Sequence, residues 1–406
     1  MNNHFSLPEI NDYDTKELCI EFYKSRSYNE QVLINKSLNY YLKNIKKEID
    51  NKTDWDKFKK LTYGFEFIST KICSGEKQIC CYEPISRAFF KLYEIIHNNK
   101  LIERKGIDPI KTFHLAEGPG GFIECVAYFR KNQEDKYYGI TLIDKRDKNI
   151  PSWDKCSKVM KKYKNIQILT GPSKDGDLYN IDNLRYIYNN FRNSIDFITG
   201  DGGVDYSEDF NNQEQLTINL ISSQVIYAII MQKLKGNFIL KIFDCFHENT
   251  INIIYLLGIF YEKVSISKPD TSRSANSEKY IICKNFRRVL KEKEVKYILE
   301  NYHLFKTTNY IKCLVKGLPS YNYLLKLEEI NSILGQQQLE NINMTLNYIF
   351  SVKSQSYDYY IKRNKDKVYN IMKTSISKSV KWCIHHGFNY NNVKFRINNN
   401  ISTNIK

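Results

Sequence analysis

His114-Leu-Ala-Glu-Gly-Pro-Gly-Gly121 closes an apolar run, Thr112–Glu117, and opens into a helical pattern at Gly120. A strand that turns through glycines into a helix lets a ligand approach bare backbone and face the positive end of the helix dipole. The same turn serves equally well as plain structure. Its spacing is not G-x-G-x-x-G and no G-K-[ST] follows, so neither a dinucleotide dehydrogenase nor a P-loop ATPase is indicated. Outward from the turn, strands are expected at Tyr137–Ile143, Ile166–Thr170, Ile195–Thr199 and Asn237–Phe243, with helices near Gln213–Leu234 and His247–Tyr261. Strands alternating with helices predict βαβ units and a mostly parallel α/β sheet. Val264–Ser267 and Lys279–Lys284 follow with no room for a helix between them, which predicts an antiparallel strand at the sheet edge.

On the N-terminal side, Ile34, Leu38, Tyr41, Leu42, Ile45 and Ile49 repeat at helical spacing within Asn29–Asp50. A second stripe, Ile85, Ala88, Phe89, Leu92, Ile95 and Ile96, runs over Ile85–Asn98 and leaves Arg87, Lys91 and Glu94 off its apolar side. After Phe286 helical runs take over at Lys291–Tyr302, Tyr321–Ile349 and Tyr357–Cys383, ahead of an Asn-rich stretch, Asn389–Lys406. The 406 residues are therefore expected to divide into a helical N-terminal extension (1–81), an α/β domain (82–286) and a basic, mainly helical module (287–406).

Charge is concentrated at one end. From Arg287 onward the chain carries 20 Lys and Arg against 8 Asp and Glu, which is 12 of its net charge of +16. Such a bias gathers polyanions, whether nucleic acid or anionic membrane, the plain alternative being a solvated helical face. The ten cysteines contain no C-x-x-C pair, so neither a disulfide framework nor a zinc site is indicated, and a reducing intracellular setting fits. Cys383, His385 and His386 lack a second ligand cluster nearby and read as surface histidines beside a cysteine. The longest nearly apolar stretch, Ile251–Tyr261, is far below the roughly 20 residues of a membrane span.

In doubly wound sheets ligands lie beyond the carboxyl ends of the strands. Those ends carry Glu117, Asp144, Asp201 and Lys241. Asp144, with Asp147 close behind, suits the two hydroxyls of a nucleoside ribose, and serves equally as a charged turn residue. Lys241 interrupts the apolar Phe238-Ile-Leu-Lys-Ile-Phe243, and a lysine is seldom buried there without a carboxylate. Asp201, followed by Gly202-Gly203, and Glu278 are the candidate carboxylates, and Lys91 is a second amine. Alkylating a ribose hydroxyl requires removal of its proton, which a neutral amine can accept. Burial and a neighbouring cation both favour a neutral lysine, so two lysines among two acids suit that task.

Five segments together resemble the FtsJ-type ribose 2′-O-methyltransferases. They are Ser86-Arg-Ala-Phe-Phe-Lys91-Leu, the His114–Gly121 turn, Asp196-Phe-Ile-Thr-Gly-Asp201-Gly-Gly, Gly236-Asn-Phe-Ile-Leu-Lys241-Ile-Phe, and Lys268-Pro-Asp-Thr-Ser-Arg-Ser-Ala-Asn-Ser-Glu278-Lys-Tyr. The resemblance covers about half the chain, residues 82 to 286. It implies a class I, Rossmann-like sheet that binds S-adenosylmethionine, with Lys91, Asp201, Lys241 and Glu278 as the catalytic tetrad and Lys241 as general base. Glu117, Gly118, Pro119, Gly120, Gly121, Phe122, Asp144 and Asp201 would then face the cofactor, and Asp175 or Asp177 its adenine. Bacterial members carry an acid where His114 stands, and here the acid is Glu117. The Thr271–Glu278 fragment is most similar to cap-modifying enzymes of eukaryotes and large viruses. This implies capped mRNA as the partner, methylated on the first transcribed nucleotide, with other capping or transcription proteins as companions. The second cap nucleotide, ribosomal or transfer RNA, and a catalytically silent RNA-binding subunit are the alternatives. Phe246, Arg273, Arg287 and Arg288 are the expected RNA contacts. The expected location is intracellular, cytoplasmic or nuclear, or a virion or viral factory for a viral protein.

Overall fold

The computed structural model describes residues 3–22, 32–50, 52, 54–72, 77–144, 153–203, 211–306, 310–351 and 363–392. Asp147, the start of the run expected at Tyr357–Cys383 and most of the Asn-rich tail lie outside the described residues. The central sheet contains β3 (Lys111–Leu115), β4 (Lys136–Ile140), β5 (Ile166–Leu169), β6 (Ile195–Gly200) and β7 (Gln232–Ile242), all parallel. It is completed by β8 (Tyr261–Ser267), β9 (Lys279–Phe286) and the N-terminal β1 (His4–Ser6), in the order β1-β8-β9-β7-β6-β3-β4-β5. This is the mostly parallel, Rossmann-like α/β sheet expected. The antiparallel strand, however, is not at the edge: β9 lies inside, antiparallel to both β7 and β8, and β1 caps β8.

Side chains of successive strand residues point to opposite faces. Phe113, Leu115, Ile198, Phe238 and Leu240 therefore face one layer, built from α6 (Ile181–Phe191), α7 (Gln213–Met231) and α8 (Glu248–Phe260). Tyr137, Phe197, Ile239, Tyr280 and Ile282 face the other, built from α3 (Ala88–Asn99), α4 (Gly121–Arg130) and α5 (Ser157–Lys162). Lys241 is two residues beyond Ile239, so the same alternation aims it at the α3 layer. Its register partner on β9 is Tyr280. The purely helical reading of 1–81 needs correction, because β1 joins the main sheet and β2 (Leu18–Phe22) pairs with β10 (Ile311–Val315).

The terminal segments fold onto one another. Helix α9 (Glu292–Asn301) packs between α6 and β2. Helix α10 (Tyr321–Phe350) packs on α1 (Lys36–Lys47) and α2 (Trp55–Thr62), with Gly335 against Leu38 and Thr62 Oγ1 at 2.9 Å from Thr345 Oγ1. Helix α11 (Lys365–His385) lies against the Glu66–Ile68 turn. No described helix is long and apolar enough to cross a membrane.

Candidate active site

The turn after β3 is shaped by close packing. Gly120 has φ +108°, where a side chain is strained, and a Cβ there would press on Cys156 and Trp153. A Cβ at Gly121 would come within 2.8 Å of Ser86 Oγ and 3.1 Å of the Ala88 Cβ, so this glycine sets how near α4 lies to the start of α3. Phe122 is buried and packs towards Tyr280, their rings 6.1 Å apart, so it is its backbone N–H in the first turn of α4 that can face a ligand. What the turn offers is the backbone N–H groups of the first turn of α4, which have no partner within the helix.

Lys91, Asp201, Lys241 and Glu278 come together as two ion pairs. Lys91 Nζ lies 2.7 Å from Glu278 Oε1 and donates to Oε2 at 2.9 Å, with side-chain exposures of 13% and 9%. Lys241 Nζ donates to the Asp201 carbonyl oxygen at 2.7 Å and lies 3.2 Å from Asp201 Oδ1. Burial alone would raise the Glu278 pKa, yet the ammonium groups of Lys91, Lys241 and Lys268 hold its carboxyl well below the ordinary carboxylate range. Lys91 lies off the apolar stripe of α3, as its spacing indicates, but it is covered by the segment that carries Glu278.

That segment, from Lys268 to Glu278, is pinned by residues that sequence reasoning passed over. Lys268 Nζ donates to Asn276 O at 2.8 Å, Asn276 Oδ1 at 3.1 Å and Glu278 O at 2.7 Å. Tyr280 O–H donates to Glu278 Oε1 at 2.8 Å. Glu94, one helical turn beyond Lys91, accepts from Asp270 N at 2.7 Å, Thr271 N at 3.1 Å, Thr271 Oγ1 at 2.9 Å and Trp382 Nε1 of α11 at 3.1 Å. Glu94 thus fastens the Glu278 segment to the helix of Lys91. The legible signal was its place off the apolar stripe, three residues after Lys91.

Burial, helped by nearby Asp270, pushes Glu94 up to about 7. In Glu94→Ala four donors lose their acceptor, and a buried unpaired group costs about 1–3 kcal/mol. Unfolding in urea is expected to show a loss of about 3 kcal/mol or more. A carboxyl raised by folding from 4.5 contributes most below that value and loses the contribution as pH climbs through about 7. The gap between parent and variant is therefore expected to narrow between about pH 5 and about pH 8. Equal stability at the acid end would remove Glu94 from this role.

A cofactor with an ammonium, a carboxylate and a ribose fits the residues around the turn. Glu117 is buried, its Oε2 has no hydrogen-bond partner, and burial pushes its carboxyl up. Its Oε1 accepts from Thr199 Oγ1 and lies 3.4 Å from His114 Nδ1. An unpaired buried carboxylate oxygen suits a cationic amino group, and the N-terminus of α4 suits a carboxylate. Asp144 follows the end of β4, half-buried, where a ribose would lie. Ile143 N donates to Asp175 O at 2.7 Å, which brings the Asp175 turn beside it. Asp175 and Asp177 both accept hydrogen bonds within their own turn, from Asp177 N and Tyr179 N.

The expected RNA contacts need correction. Phe246 is 2% exposed and cannot stack on a base. Arg287 donates to the carbonyls of Gly258 at 2.6 Å and Ile10 at 2.9 Å, while buried Arg288 is paired with Glu294. Arg273 makes a two-point contact with buried Glu66, Nε–Oε2 at 2.9 Å and Nη2–Oε1 at 2.7 Å. These contacts tie segments of the protein together: Arg287 and buried Arg288 are held inside the fold, Arg288 Nη1 having no hydrogen-bond partner, whereas Arg273 pairs with Glu66 through Nε and Nη2 and stays 22% exposed.

The FtsJ-like methyltransferase family profile matches residues 84–286. The cap-specific mRNA (nucleoside-2'-O-)-methyltransferase of Autographa californica nuclear polyhedrosis virus is 32% identical over 227 residues, which are 56% of this chain and 78% of that protein. Cap-specific mRNA (nucleoside-2'-O-)-methyltransferase 1 of Mus musculus is 32% identical over 193 residues, 46% of this chain and 23% of that one. An inactive cap-specific mRNA (nucleoside-2'-O-)-methyltransferase 1B of Caenorhabditis briggsae is 28% identical over 294 residues, 61% of this chain and 34% of that one. The chain thus spans about a third or less of the length of these two animal relatives.

Proposed function

Because the chain belongs to the FtsJ-like methyltransferase family, we propose that it is an S-adenosylmethionine-dependent RNA ribose 2′-O-methyltransferase acting on the first transcribed nucleotide of capped mRNA. The observation that carries this reading is the convergence of the Lys91–Glu278 and Lys241–Asp201 pairs beside the glycine turn. S-adenosylmethionine, when bound, supplies an electrophilic methyl group. Glu117 Oε2, the N–H groups opening α4 and Asp144 would hold it.

Lys241 accepts the proton of the ribose hydroxyl, and to do so its nitrogen is neutral at the moment of transfer. Asp201 fixes that nitrogen through its carbonyl and carboxylate oxygens. Lys91, locked by Glu278, supplies a fixed positive charge and N–H donors for the ribose oxygens. Holding nucleophile and base in line accounts for much of the rate in such a reaction.

The proposed substrate is capped RNA, with other capping or transcription proteins as companions, in the nucleus, cytoplasm or a viral factory. Methyl incorporation into capped and uncapped forms of one short RNA tests the substrate. Labelling is expected to depend on the cap by at least about tenfold, a free-energy difference of about 1.4 kcal/mol. Equal labelling of both would move the target to the second reading, ribosomal or transfer RNA.

A further inference from the structure

We propose that His97, His385 and His386 form a zinc site that clasps the end of α11 onto α3. One ring nitrogen from each lies within 4.8 Å of the others. The cluster joins residues about 290 apart in sequence, so no local spacing reveals it. The reading of His386 as a surface residue is corrected, since it is 3% exposed.

The arrangement has the features of a ligand set. His386 Nδ1 lies 2.9 Å from the Trp382 carbonyl, to which it must donate, because that oxygen only accepts. The lone pair is thereby fixed on Nε2, which is buried and has no hydrogen-bond partner. A metal-bound histidine characteristically donates its other ring N–H to such an oxygen. The His386 ring is held by stacking on Trp382, centroids 4.1 Å apart, and the His97 ring by stacking on Tyr93, centroids 6.2 Å apart. His385 is exposed, its ring edge-on to those of His97 and His386, with centroids 5.7 Å and 4.8 Å away. Zinc–nitrogen bonds of about 2.0–2.1 Å place tetrahedral ligand atoms roughly 3.4 Å apart, so closure asks for a movement of little more than roughly 1 Å.

Three imidazoles without a carboxylate suit zinc among abundant divalent ions and exclude magnesium and calcium, which take oxygen ligands.

The test uses the full chain, stripped with chelator, dialysed and titrated with zinc chloride in a calorimeter. One equivalent is expected to bind. His97→Ala and His385→Ala, one half-buried and the other exposed, are each expected to weaken binding by more than about tenfold, whereas His303→Ala, at an exposed position elsewhere, leaves it unchanged. Cys19, Glu21 and Cys313 form another convergent set, so the cobalt-substituted protein is read by absorption. Cobalt d–d bands without a thiolate charge-transfer band support the histidine site. A thiolate band, no binding, or binding that survives both histidine variants would overturn it.

Discussion

Lys241→Ala is expected to abolish methyl transfer, lowering it by about 10²–10⁴-fold, while S-adenosylmethionine binding measured by calorimetry stays within about twofold. The size of the effect follows from placement. Lys241 stands in β7 between Leu240 and Ile242, both fully buried, and strand alternation sends it to the layer that holds Lys91. Its amine is held against Asp201 at 2.7 Å and 3.2 Å, and among the described residues no other lysine is held in that position. The proposed cofactor contacts at Glu117 and the opening of α4 belong to other elements, which is why binding should persist. Undiminished turnover would remove Lys241 from the base role. Since one relative is named as inactive, this comparison also separates a working enzyme from a silent subunit.

Glu278→Gln is expected to reduce both activity and stability. The carboxylate balances Lys91 directly and feels Lys241 and Lys268, and it is almost entirely buried. Removing one partner of a buried pair leaves an uncompensated charge, at a cost of about 3–5 kcal/mol. Glutamine keeps the shape, so the variant is expected to fold with a lowered denaturation midpoint. Displacing Lys91 from its locked position should lower transfer by about 10²-fold even in the folded protein. The carboxyl is held far below its ordinary range, so the parent keeps this contribution through mildly acidic conditions and loses it only as pH falls through that depressed value. A variant with parental stability and turnover would show that the Lys91–Glu278 pair is not required.

The four candidate residues were legible because two of them break a local pattern and two stand at strand ends. Lys241 breaks an apolar strand, Lys91 leaves the stripe of α3, and Asp201 and Glu278 stand beside strand ends. The central βαβ order was legible for the same reason, since the period of the apolar residues changes between strands and helices. Strand β1 was not, because His4-Phe-Ser6 is too short to show a period and owes its place to pairing with Ser265–Ser267. Strands β2 and β10 are likewise short, and their paired residues, such as Phe22 and Ile311, lie far apart in the sequence.

Basic residues misled for a different reason. Arg287 and Arg288 resemble a phosphate-binding pair, but Arg287 Nη2 donates to the carbonyls of Gly258 and Ile10, and Arg288 is buried and paired with Glu294. Charge composition reports a tendency towards polyanions and cannot say which guanidinium groups are already spent on the fold. Glu94 was hidden in the converse way, as an acid off the apolar stripe that is buried by loop and C-terminal helix.

The most direct test is incubation of the full chain with methyl-labelled S-adenosylmethionine and capped RNA, followed by digestion and identification of the labelled nucleoside. The account requires label in a 2′-O-methylated nucleoside from the first transcribed position. Label on a base, or none with cofactor binding intact, would contradict it.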